Sequence, residues 1–421
     1  MSNNYTGLKF FLRAFSYKNY RLFFSGQIIS LTGTWMQMIA VVWLVYRLSH
    51  SAFLLGLVGF TSQIPTFFFS PVAGVLADHL ERRKILITTQ TLAMLQAFLL
   101  AGLALTSRIS VGWIVILSIF LGIINAFDAP VRQAFVMDMI EKKADLGNAI
   151  ALNSSMFNAA RLLGPSLAGI IIAAFGEGIC FLLNGVSFLA VILALLLMQT
   201  KQKKSPFETS HMLKRLKEGL VYAFGFKPIR YTLFLVTFFS LIGMSYVVVM
   251  PVVAKEILGG NAKTLGFLMG AAGLGALIGT IYLAAQKTSQ GLEIIIPFSA
   301  IIFGVSLIIF SFSHILWLSL LLMLCVGFGM MVQMAASNTV IQTITDDDKR
   351  GRVMSLFTMA FMGMGPFGSL LAGGLTEKIG AAHTLIINGS LCVVAALLFS
   401  TRMGLIRQTI ETNKDSTAGK D

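Results

Sequence analysis

The chain has 421 residues, of which 56% are hydrophobic and 12% charged, with a formal charge of +14. An ordinary soluble domain carries roughly 25% charged residues, so this composition excludes a chain solvated by water alone and describes a membrane protein. The basic excess does not imply nucleic acid, because in such a chain Lys and Arg are first a record of which side of the bilayer each loop occupies.

Crossing a hydrocarbon core of about 30 Å takes about 20 helical residues. Apolar runs of that length recur twelve times, over residues 20–46, 53–77, 85–106, 112–136, 147–174, 178–198, 231–254, 264–286, 292–312, 315–343, 352–376 and 383–404. Residues 1–19 are polar and basic and the first apolar run is of full spanning length, so no cleavable leader is expected. Lys and Arg then alternate by loop. Only Arg47, Arg108, Lys255, Lys263 and Lys378 fall on the side opposite the N-terminus, and Arg161 lies inside a span. The positive-inside rule therefore puts both termini and the long central loop of this multi-pass chain in the cytoplasm.

Span 1 carries Gln27, Trp35 and Gln37 at apolar depth. Span 2 ends in "GVLADHLERRK" (74–84), where Gly74 continues a small face and Asp78, Arg82, Arg83 and Lys84 gather at the membrane surface. Such a cluster can latch a cytoplasmic face by pairing with helix ends and neighbouring acids. In span 4, Asp128 and Arg132 lie one helical turn apart with Pro130 between them. A charge at the bilayer centre costs about 2.5–3.5 kcal/mol on insertion scales. Asp128 is thus either a proton carrier or half of a fixed ion pair. Span 5 adds Asn153, Asn158 and Arg161, the deepest cation, and span 10 adds Gln333, Asn338 and Gln342. Together with the residues of span 1 these are candidates to line a cavity, interhelical hydrogen bonds being the alternative. Met330, Met331 and Met334 with Met354, Met359, Met362 and Met364 form either an adaptable apolar wall or ordinary packing.

Residues 199–230 are the one long polar interruption and divide the chain into an N-terminal bundle (1–198), a cytoplasmic linker with an amphipathic helix, a C-terminal bundle (231–404) and a tail (405–421). In the linker, Leu213, Leu216, Leu220 and Phe224 recur opposite Lys214, Arg215, Lys217 and Glu218, the pattern of a helix lying on the membrane surface. The halves echo one another: "NAARLLGPSLAG" (158–169) matches "AFMGMGPFGSLLAGG" (360–374) in placing Gly-Pro before small residues. Small residues also recur every fourth position at Ala160, Gly164 and Ala168, at Gly275 and Gly279, and at Gly365, Ser369 and Gly373, which lets helix backbones approach closely in lipid. Parallel six-span repeats place a binding site between the halves, so the expected fold is an all-α membrane protein of twelve helices in two pseudo-symmetric six-helix bundles.

"GVLADHLERRK" resembles the loop 2/3 signature of the major facilitator superfamily, with Glu81 at a position where the common pattern has Gly. The corresponding loop 8/9, "GTIYLAAQK" (279–287), has Ala285 at the Asp position. "NAFDAPVRQAF" (125–135), "NAIALNSSMFNAARLLGPSLAG" (148–169) and "KRGRVMSLFTMAFMGMGPFGSLLAG" (349–373) are similar to the exporter branch that holds macrolide-efflux and enterobactin-export proteins. The resemblance implies the twelve-helix fold and proton-coupled export of small amphipathic molecules, with Asp78, Arg82 and Arg83 in an inner gate.

Cys180, Cys325 and Cys392 have no paired spacing, and the five histidines fall near span ends or in loops, so neither a disulfide framework, a metal site nor a His proton relay is expected. No phosphate loop, H-E-x-x-H or nucleophile elbow appears, so the chain reads as a transporter without cofactor rather than an ATPase or hydrolase. The expected partners are a small substrate, protons and lipid, acting on a monomer. Lipid, lysolipid or metabolite transport on the same fold, a facilitator without proton coupling, and a transport-dead scaffold are the competing readings.

Overall fold

The computed structural model describes residues 12–198, 212–286, 291–346 and 349–409; for residues 70–79, 143 and 212–217 only the backbone is described. Among the described residues every regular element is helical. Twelve helices are long and apolar enough to cross a membrane. They are α1 (Lys18–Ser49), α2 (Ala52–His79), α3 (Arg82–Leu105), α4 (Val111–Asp138), α5 (Lys143–Phe175), α6 (Glu177–Leu197), α7 (Lys227–Ile257), α8 (Ala262–Ala284), α9 (Leu292–Ser311), α10 (Leu316–Ile344), α11 (Arg350–Ile379) and α12 (Ala381–Ser400). With no water in hydrocarbon to satisfy N–H and C=O groups, the backbone is driven into this form.

Two spans are locally rewound. In α7, π-helical turns over Phe239–Gly243 and Val253–Ile257 flank a short α-helical stretch that contains Pro251. A proline cannot donate to the ladder, and an inserted residue of this kind shifts the helix face that follows it. α11 breaks after Gly363 and restarts at Gly365, with Pro366 in the first turn of the new segment, where its missing N–H is no loss. The Gly-Pro echo in α5 behaves differently: Pro165 is contained in one continuous helix.

A second echo lies at the paired helix ends. Gly176 closes α5 and opens α6 at φ +81°, and Gly380 closes α11 and opens α12 at φ +83°. Each donates its N–H to the carbonyl four residues back, Ile172 or Thr376, at 2.9 and 3.0 Å. That backbone conformation is essentially closed to residues with a Cβ, so each glycine allows a direct reversal between adjoining spans.

The chain divides into two compact units, Met1–Leu48 with Thr61–Glu208, and Ser49–Phe60 with Thr209–Asp421. In the first, α3 packs on α4 and α6. A Cβ placed on Gly26 of α1 would lie 2.7 Å from the Ala190 carbonyl oxygen of α6, and one on Gly164 of α5 would lie 2.4 Å from Cβ of Trp35. At the start of this unit the 3-10 turn Arg13–Ser16 is pinned to α5. The Ala14 N–H donates to Asn148 Oδ1 at 3.0 Å, the Tyr17 hydroxyl to Asp145 at 2.8 Å and the buried Tyr20 hydroxyl to the Ala149 carbonyl at 2.9 Å. Burial and the bond to Asp145 push the Tyr17 phenol up from its ordinary pKa.

In the second unit, α9 packs on α10 and α12, the same pairing that α3 makes with α4 and α6. The initial turns of α2 belong here, with Gly56 set against Ser369 and Gly373 of α11. The linker helix (Met212–Gly225) is tied to the start of α11. Glu218 pairs with Arg352 at 2.9 Å, the Tyr222 hydroxyl donates to Asp346 at 3.1 Å, and Lys349 lies 4.5 Å from the Tyr222 ring centroid.

The tightest helix contacts of the second unit run through glycine. A Cβ on Gly275 of α8 would lie 1.9 Å from the Leu324 carbonyl oxygen of α10, and one on Gly327 of α10 would lie 1.9 Å from the Ala272 carbonyl oxygen of α8. Gly304 of α9 and Gly389 of α12 face one another in the same reciprocal way. Lipid tails are as apolar as Leu, so close backbone approach and dispersion supply much of this association. Gly327→Val should therefore cost about 1–3 kcal/mol or more by overpacking, read as a lower melting temperature of the purified protein in detergent. Gly102→Ala, where the added methyl meets nothing within 4 Å, should leave that temperature unchanged.

Candidate functional site

Two charged constellations of the first unit share α3 and α4. At the membrane-surface end, Arg82 in the first turn of α3 directs Nη1 to both carboxylate oxygens of Asp138, the last residue of α4, at 2.9 and 3.0 Å. Arg83 turns the other way and caps the C-terminus of α6, donating Nε to the Leu195 carbonyl at 2.6 Å and Nη2 to the Leu196 carbonyl at 2.7 Å. A guanidinium on unsatisfied terminal carbonyls answers both their lone pairs and the negative end of the helix dipole. Lys84 pairs locally with Glu81 at 2.6 Å. Gly74 and Asp78 fall where only the backbone is described, so the position of the Asp78 carboxylate lies outside the described residues.

Deeper in the same pair of helices sits Asp128, 5% exposed and about 15 Å by helical rise from the end of α4. Its Oδ1 accepts from Thr89 Oγ1 at 3.0 Å and Gln90 Nε2 at 2.7 Å, both from α3, and its Oδ2 pairs with Arg132 Nε at 3.2 Å, one turn on. These donors replace the water that a carboxylate loses on burial. The pair is therefore not isolated on α4. It fastens α4 to α3.

The neutral candidates separate into two groups. Gln37 is buried with both amide ends engaged: Nε2 donates to Gln96 Oε1 at 3.0 Å and Oε1 accepts from Asn184 Nδ2 at 2.8 Å, while Gln96 donates onward to the Leu117 carbonyl at 3.2 Å. This chain of amides crosses α1, α3, α4 and α6. Asn158 is buried and returns its amide to the Ser154 carbonyl at 3.0 Å, Gln27 is buried, and Asn153 is half-buried. Trp35 is half-buried, with the Arg161 guanidinium 5.8 Å from its ring centroid and Phe157 edge-on at 5.6 Å. Arg161, Trp35 and Phe157 form one cationic and aromatic cluster on α1 and α5.

In the second unit, Gln333 of α10 is fully buried; its Nε2 lies 3.4 Å from Ser337 Oγ and its Oε1 has no hydrogen-bond partner. Gln342 is exposed and donates to the half-buried Asn338. The methionines divide as well: Met330 and Met334 are core residues, whereas Met359 and Met362 are exposed. Among the described residues no group of three or more His, Cys, Asp or Glu has metal-binding geometry.

The sequence model described as transmembrane secretion effector matches residues 11–418 of this chain. The chain belongs to that family, a branch of the major facilitator superfamily. The staphyloferrin A transporter of Staphylococcus aureus is 26% identical over 388 residues, covering 91% of this chain and 96% of that protein. Macrolide efflux protein A of Streptococcus pyogenes is 21% identical over 392 residues, covering 91% and 96%. A crystallised POT family transporter in complex with a thioalcohol conjugated peptide superposes with a TM-score of 0.75 at 12% identity, covering 92% of this chain and 96% of that one, a likeness of fold alone. This secretion-effector chain is accordingly a multi-pass membrane transporter and not an enzyme.

Several groups that the structure places in or beside these contacts are absent from the candidates read in the sequence: Asp138, Thr89, Gln90, Gln96, Asn184 and Glu293. Glu293, in the first turn of α9, is 4% exposed, and its Oε2 has no hydrogen-bond partner among the described residues. Its position at the start of an apolar run was the one signal the sequence offered. For the surface tie, Arg82→Gln or Asp138→Asn should lower the melting temperature slightly, by about 1 kcal/mol or less, because both groups are partly exposed. The reversed pair Arg82→Asp with Asp138→Arg should recover part of that loss, and a reversed pair no better than the sum of its single variants would show that the contact contributes nothing.

Proposed function

We propose that this transporter exports small amphipathic molecules, of drug or siderophore type, across a bacterial inner membrane by alternating access as a monomer, and that proton antiport drives it. The observation that supports the coupling most is the Asp128 cluster. An antiporter needs an acid whose proton occupancy changes how helices are joined, and protonating Asp128 would remove the charge that engages Arg132, Thr89 and Gln90 together. Loss of the charge would leave Arg132 to find another partner or water and would weaken the Thr89 and Gln90 bonds that join α3 to α4. With the termini on the cytoplasmic side, as the charge asymmetry favours, the Arg82–Asp138 tie and Arg83 would belong to the inner gate.

Glu293 is the second acid in this scheme. Its Oε2 meets no hydrogen-bond donor among the described residues, whereas Asp128 is met by three side chains. Arg161 with Trp35 would meet the substrate: the guanidinium suits an anionic group and the indole an apolar body.

The test begins in an exporter-deficient host with a panel of drugs and siderophores, and continues in proteoliposomes with the substrate so found. An imposed pH gradient should raise flux several-fold, and Asp128→Asn should abolish that dependence while leaving exchange without a gradient. Flux indifferent to the gradient in the unmodified protein would identify an uncoupled facilitator. Full coupling in Asp128→Asn would move the proton site elsewhere, and Glu293→Gln tested alongside would show whether it is there.

A further inference from the structure

At the end of the second unit where α7 begins and α12 finishes, two guanidiniums converge on one phenol. Arg230 lies 5.4 Å from the Tyr231 ring centroid, and Arg402, just past α12, lies 5.5 Å from it. Lys227 stands four residues before Tyr231 on the same helix, hence on the same face. None of the three cations forms an ion pair among the described residues. Arg230 donates to the Phe224 carbonyl, at 3.3 Å. Among the described residues, the acids of the linker helix and of the segment before α11 are already engaged: Glu218 holds Arg352, and Asp346 receives Tyr222 and Lys349.

Among the described residues no carboxylate stands among these three like charges, gathered where apolar helices meet water, and an anion from outside the chain suits them. The neighbouring surface says which kind. Phe224 and Phe234 are 46% and 53% exposed and pack edge to face at 5.8 Å. The carbonyl of Phe224 is the one Arg230 grips. An exposed aromatic pair directly beside a cationic cluster matches a molecule with an anionic head and hydrocarbon tails. Guanidinium is the side chain whose donor fork best fits phosphate oxygens, and basic pockets between membrane helices suit such headgroups.

We propose that Lys227, Arg230 and Arg402 bind the phosphodiester headgroup of an anionic phospholipid, with Phe224 and Phe234 against its acyl chains. The lipid bridges the first turn of α7 to the end of α12, and through Phe224 it also touches the linker helix. This site is independent of the proton scheme, since it shares no residue with it.

Native mass spectrometry of the purified full chain in neutral detergent, titrated with phosphatidylglycerol, phosphatidylcholine or inorganic phosphate, tests the assignment. Phosphatidylglycerol should be retained in preference to phosphatidylcholine. Arg230→Gln with Arg402→Gln should weaken its binding about tenfold, equivalent to about 1.4 kcal/mol, and raised salt should weaken it in the unmodified protein. Equal retention of the two lipids, or a double variant that keeps the preference, would overturn the proposal. Inorganic phosphate that displaces phosphatidylglycerol at equal concentration would also overturn it, in favour of a soluble anion. Should the double variant not fold, the salt series on the unmodified protein decides: retention indifferent to salt contradicts an electrostatic headgroup site.

Discussion

A charge inside hydrocarbon must bring its own solvation, and in this chain the first unit is organised around that requirement at Asp128. One carboxylate draws Thr89 and Gln90 from α3 and Arg132 from its own helix. Desolvating an ion costs several kcal/mol even after relaxation, and only complete pairing offsets it. The same rule governs the neutral groups. Gln37, Gln96 and Asn184 satisfy one another in a line across four helices, because an amide left alone at that depth would lose its hydrogen bonds outright. A small set of polar contacts thus ties helices of the first unit together alongside the close approaches at Gly26 and Gly164.

The second unit relies more on surface shape. Its helices touch backbone to backbone at Gly275 with Gly327 and at Gly304 with Gly389, where even a methyl would collide with a carbonyl. Such seams have no directional bonds along their length, so they permit sliding at little cost in broken contacts. The interruptions in α7 and α11 lie in the same unit. The Ser240 hydroxyl, in the first π turn of α7, donates to the Phe361 carbonyl just before the break in α11, joining the two irregular spans at their weak points.

The twelve spans were legible from apolar run length alone, because a bilayer imposes one length scale on every helix. The span ends followed within a few residues, and the small-residue rows at Gly164, Gly275 and Ser369 became contacts as their spacing suggested. Side-chain partnerships were legible only when local. Asp128 with Arg132 is one turn, and it was visible; Arg82 with Asp138 and Gln37 with Asn184 join residues on different helices, and nothing in a single sequence pairs them. Gln37 looks the same in sequence whether it faces a cavity or an amide partner. Glu293 went unnoticed because a single acid at the start of an apolar run resembles an ordinary first-turn residue favoured by the helix dipole, and only its burial without a donor distinguishes it.

The claim that buried charge persists here only through pairing is tested most directly by a double-mutant cycle on Asp128 and Arg132, reading the melting temperature in detergent. Asp128→Ala or Arg132→Ala alone leaves an uncompensated charge, which typically costs about 3–5 kcal/mol, whereas removing both leaves none. The account predicts that the double variant is destabilised by clearly less than the two single variants together, with a coupling of about 1 kcal/mol or more. Strictly additive losses would contradict it.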